Sequence, residues 1–129
     1  MRKKYGRIAV FVLGCVLAVW GIIIYPILNK GSIAISFSNT TDMAFTVLRI
    51  NDQIVDLPLE AGGSATVKYY IQGEETIVAY LRDEMGTDYA QEVADSFSGL
   101  VNPENYGRAL VTLKEKKGEI QIKVLNNIS

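Results

Sequence analysis

Residues 8–28 form a run of 21 without a single charge, and Arg2, Lys3, Lys4 and Arg7 stand directly before it. At about 1.5 Å of helix rise per residue, such a run spans roughly 31 Å, the thickness of the hydrocarbon core of a bilayer. A basic cytoplasmic flank (1–7), a transmembrane signal anchor (8–28) and a short tether (29–32) are therefore expected, followed by a folded domain over 33–129. Positive residues beside a first apolar helix stay in the cytoplasm, which predicts a single-pass protein with its C-terminal domain on the extracytoplasmic side.

Retention is favoured over cleavage. A secretory signal has a shorter apolar region closed by small residues, whereas here the run continues through Trp20, Ile22, Ile23, Ile24 and Tyr25 to Pro26, with Val16-Leu17-Ala18 in its middle. The alternative is lipidation, because Val12-Leu13-Gly14-Cys15 is similar to a bacterial lipobox. Thirteen further uncharged residues after Cys15 argue against the polar tether that a lipoprotein needs. Gly14, Ala18 and Gly21 share a small-residue helix face that a second helix can approach closely.

Charge divides along the chain. The first 30 residues hold five of thirteen Lys and Arg and none of the fourteen Asp and Glu, leaving eight basic and fourteen acidic groups in residues 31–129. Nucleic-acid binding requires a basic field, so this acidic remainder excludes that class. With Cys15 the one cysteine, the outer domain has no disulfide and must be held by a packed core.

Period-two alternation dominates that domain. Ile33, Ile35 and Phe37 predict a first strand, followed by a turn at Asn39-Thr40-Thr41-Asp42. A second strand places Phe45, Val47 and Arg49 on one side and Thr46, Leu48 and Ile50 on the other. Gln53-Ile54-Val55 returns as a short arm closed by Pro58, which suits an edge, and Gly62-Gly63 supplies the next turn. Ala65, Val67, Tyr69 and Ile71 share a face, as do Ile77, Ala79 and Leu81. Residues 88–93 pair back across Asp83-Glu84-Met85-Gly86. After an irregular stretch over 95–107, a last hairpin runs over 108–115 and 119–124 around Lys116-Lys117-Gly118. The expected fold class is all-β, an antiparallel sandwich of about seven or eight short strands.

Catalytic chemistry has little to work with. The absence of histidine removes Ser-His-Asp and Cys-His nucleophile pairs and His-containing zinc sites. The acids Asp83, Glu84, Asp88, Glu92 and Asp95 cluster in sequence but do not follow a calcium-loop spacing. No catalytic residue, metal site or cofactor is expected; a hydrolase built on these acids is the third-ranked reading. Tyrosines and an apolar loop point instead to contact with a protein, because tyrosine is a frequent interface anchor and loops on rigid scaffolds carry function. Tyr69 and Tyr70 are adjacent on a strand, so one faces the core and the other faces out. The candidate partner-binding residues are Tyr70, Tyr89, Phe97, Leu100 and Tyr106. Two glycosylation triplets, Asn39-Thr40-Thr41 and Asn127-Ile128-Ser129, carry little weight in a sequence of bacterial character.

The stretch Phe37-Ser38-Asn39-Thr40-Thr41-Asp42, then Leu48-Arg49-Ile50-Asn51-Asp52 and Gly62-Gly63, resembles small envelope-anchored bacterial immunity proteins that neutralise phospholipase effectors of type VI secretion. The chain departs from that pattern at Asp52, where the family has glycine, and lacks its later cysteines. The resemblance implies a non-catalytic inhibitor on the outer face of the bacterial inner membrane, binding an incoming toxin. The alternative reading is an accessory structural subunit of a cell-envelope membrane complex.

Overall fold

The computed structural model describes residues 30–94 and 99–129; the predicted anchor over 8–28 and the candidate Phe97 lie outside the described residues. What is described is all-β. Eight strands follow in order: β1 (Ser32–Asn39), β2 (Phe45–Ile50), β3 (Gln53–Leu59), β4 (Ser64–Tyr70), β5 (Ile77–Asp83), β6 (Asp88–Ala94), β7 (Tyr106–Lys116) and β8 (Glu119–Ile128). They form two four-stranded sheets, ordered β4-β1-β7-β8 and β3-β2-β5-β6.

The alternation read from sequence explains how these strands meet. Ile33, Ile35 and Phe37 of β1, Val111 and Leu113 of β7, and Val47, Ile77 and Leu81 of the other sheet are all fully buried in one apolar cluster. Burying each such side chain contributes about 1.5–3 kcal/mol, which is the main source of stability in a domain without disulfides.

Three expectations are corrected. The first is that all strands run antiparallel: β1 pairs antiparallel with β4 but parallel with β7, with Ser32 opposite Tyr106 and Asn39 opposite Leu113. A parallel neighbour needs a long connection, and the chain leaves β6 in one sheet at Ala94 and enters β7 in the other at Tyr106. The second concerns β2, where a bulge between Val47 and Arg49 breaks strict alternation. Ile50 thereby joins Phe45 and Val47 in the core, and Arg49 swings out over the Tyr80 ring at 3.7 Å. An extra residue in a bulged strand reverses which face each later side chain takes. The third concerns the tether: β1 begins at Ser32, and Gly31 is already tied in, donating its N–H to Asn105 O (2.7 Å) and accepting from Ile71 N (2.8 Å).

Turn chemistry follows the sequence closely. Lys117 (φ 54°) and Gly118 (φ 77°) form the two-residue β7–β8 loop between the pair Lys116 and Glu119; positive φ at both positions matches the twist of a hairpin. Pro58 lies within edge strand β3, opposite Thr46.

Between β1 and β2, Asn39 acts as a buried hub. Its Oδ1 accepts from Thr41 N (3.0 Å) and Thr41 Oγ1 (2.7 Å), while its Nδ2 donates to the carbonyls of Met43 (2.7 Å), Leu59 (3.1 Å) and Glu60 (3.0 Å). One side chain thus satisfies backbone groups at two of the sheet crossings, β1 to β2 and β3 to β4, which would otherwise be costly to bury. Its amide is spent inside the protein, so the Asn39-Thr40-Thr41 triplet offers no glycan acceptor on the folded domain.

Candidate functional site: the outer face of the β4-β1-β7-β8 sheet

On this sheet, odd positions of β1 face the core, so Ser32, Ala34, Ser36 and Ser38 face outward. The register sets Tyr70, Ser32 and Tyr106 in one row, then Lys68, Ala34 and Arg108, then Thr66, Ser36 and Leu110. Leu125 continues the third row from β8, opposite Leu110. Side-chain contacts fix the same facing: Ser36 Oγ lies 2.9 Å from Thr66 Oγ1, and Lys68 Nζ lies 5.6 Å from the centre of the Tyr70 ring.

Small side chains therefore line β1, and larger ones stand on its neighbours β4 and β7. A shallow hollow of about 270 Å³ lies toward the β7–β8 side of this face, lined by Ser36, Arg108, Ala109, Leu110, Leu125, Asn126 and Asn127. Leu110 and Leu125, 41% and 60% exposed, line it, and Tyr70, 55% exposed, lies two rows away on β4. With Ile54 and Met85, they are the five large apolar side chains exposed among the described residues, and three of the five share this face.

The five sequence candidates are distributed as follows. Tyr70 and Tyr106 lie in the same row across Ser32, Tyr70 exposed and Tyr106 half-buried. Leu100 is half-buried in the segment before β7, beside Val101, which is fully buried and bridges to Glu75 through paired backbone bonds of 2.8 and 2.9 Å. Tyr89 is used internally: its ring packs 5.8 Å from that of Phe45, and its hydroxyl donates to Asp83 Oδ2 at 2.9 Å. Phe97 falls outside the described residues.

Lys68, Arg108, Leu110 and Leu125 were missed by the sequence reading, although a signal was present. Leu110 and Leu125 are out of phase with the core-facing Ala109, Val111 and Val124, so alternation alone places them outward.

Two of the clustered carboxylates, Asp83 and Asp88, serve the β5–β6 hairpin. Asp83 Oδ1 accepts the backbone N–H groups of Met85 (2.9 Å) and Thr87 (3.0 Å). These bonds, Thr87's first, hold the Asp83 carboxyl below the usual carboxylate range. Asp88 is held low by Arg82, whose Nε donates to its Oδ1 at 2.6 Å. At the opposite end of the strands, Tyr69 donates to Glu75 Oε1 (2.6 Å) and accepts from Asn51 Nδ2 (3.2 Å); burial first, then the Glu75 bond, pushes its phenol up to about 12. No group of three or more His, Cys, Asp or Glu placed to hold a metal occurs among the described residues. No family model and no curated protein matches this chain.

Proposed function

We propose that this protein is a membrane-anchored, non-catalytic module that binds another protein on the extracytoplasmic side, presenting the outer face of the β4-β1-β7-β8 sheet. One observation carries the reading: Tyr70, Leu110 and Leu125 are all exposed on that one face, the two leucines lining a shallow hollow. Exposed apolar groups gathered on one patch mark an interaction site, whereas scattered ones do not. The engagement of Asp83, Asp88 and Tyr89 in structural bonds supports contact rather than chemistry.

The apolar run over 8–28 with its basic flank supports the anchor and its orientation. Neutralisation of a secreted toxin is the specific role that the resemblance in Phe37–Asp42, Leu48–Asp52 and Gly62-Gly63 favours. Affinity purification of the native full chain from solubilised membranes tests the proposal. A stoichiometric protein partner is expected, and recovery of the chain alone contradicts it.

A further inference from the structure

Charge is distributed unevenly between this face and the rest of the domain. Outward positions of the sheet carry Lys68, Arg108, Lys114, Lys116 and Lys123 against the single carboxylate Glu119. The remainder of residues 31–129 holds three basic and thirteen acidic groups. An otherwise acidic domain thus turns one basic, partly apolar surface outward.

Resting on the protein-binding reading above, we infer that the partner presents an acidic ridge, which docks along the β1 trough between Lys68 on one side and Arg108, Leu110 and Leu125 on the other. Charge complementarity selects the sign of the partner, since an acidic surface approaching any other side of the domain is repelled. Shape selects its class. The hollow over Ser36 receives a protruding edge, whereas a flat anionic bilayer would span it and leave its floor uncovered. Exposed Leu110 and Leu125 then supply the apolar centre and the lysines a charged rim, the arrangement of a specific protein interface.

The test places a photoreactive residue at Leu125, or at Ile54 on the other sheet, in the full chain in its own membranes. A discrete protein adduct is expected from position 125. Its yield should fall roughly tenfold when salt is raised from about 50 to about 300 mM, or when poly-L-glutamate is added as a competitor. Lys68→Glu combined with Lys123→Glu should lower it by a similar factor, and Lys117→Glu at the hairpin tip should leave it unchanged. A protein adduct from position 54 alone overturns the docking face while the protein-binding reading survives. An adduct from position 125 that is indifferent to salt and to charge reversal overturns the acidic partner. Adducts to lipid or to a second copy of this chain also overturn the inference. No protein adduct from either position removes both readings.

Discussion

The Tyr89 hydroxyl donates a 2.9 Å hydrogen bond to the Asp83 carboxylate, whose other oxygen accepts two backbone N–H groups of the same hairpin. A carboxyl held below its ordinary range stabilises the fold fully above that range and ceases to do so as pH falls through its lowered value. Urea unfolding should therefore show stability falling on acidification below about pH 4. Asp83→Asn should be less stable at neutral pH and show a shallower acid limb; an unchanged limb would mean that other groups govern it. Tyr89→Phe should cost about 1–2 kcal/mol at pH 7 by removing a bond to a charged acceptor.

Tyr69 predicts the opposite limb. Its phenol ionises at about 12 in the folded domain, against about 10 in the unfolded chain. The unfolded state therefore loses its proton first, and stability should decline between about pH 10 and 12. In Tyr69→Phe that decline should flatten. Ultraviolet difference titration provides an independent check: burial and the Asp83 bond also raise Tyr89, so the late-ionising phase of the wild type should lose one tyrosine, not vanish, in the variant.

Asn39→Ala should be among the most damaging single changes. It removes the donor to the Leu59 and Met43 carbonyls and the acceptor for Thr41, leaving buried groups unpaired at a cost of about 3 kcal/mol or more. Equilibrium unfolding checks this, and a loss below about 1 kcal/mol would mean that water or neighbouring side chains replace the hub.

Gly107 and Gly118 should respond differently to alanine. A Cβ at Gly107 would meet the Asn127 carbonyl oxygen and lie 2.8 Å from Ile128 Cα, both backbone. Separating β7 from β8 to make room should cost roughly 2 kcal/mol or more. At Gly118, where a Cβ has nothing within 4 Å but φ is +77°, the cost should be about 1 kcal/mol, from backbone conformation alone. Thermal melts of the two variants should preserve this order.

Much of the fold was legible because one face of each strand is buried. Ile33, Ile35 and Phe37 alternate with serines and alanine, and all three are fully buried; Tyr69 and Tyr70 divide between core and surface as adjacent strand residues must. Alternation carries no information on strand direction, so the parallel pairing of β1 with β7 was invisible. It also cannot foresee a bulge, which is why Arg49 and Ile50 exchanged faces. The candidate site was legible only in pieces. Tyr70 and Tyr106 could be picked out one at a time, but the basic face requires Lys68, Arg108 and Lys123, from three separate stretches, to be brought onto one face by the register. Tyr89 reads as an interface anchor in sequence because nothing local reveals that Asp83 takes its hydroxyl.

Paired charge insertions on the two outer faces test the central claim most directly. Leu125→Asp and Ile54→Asp alter side chains that are 60% and 81% exposed, so both variants should fold with nearly unchanged melting temperatures. In affinity purification from solubilised membranes, Leu125→Asp should lose the partner protein by roughly tenfold or more, while Ile54→Asp retains it. Equal retention by both variants, or loss confined to Ile54→Asp, would contradict the assignment of this sheet face as the binding surface.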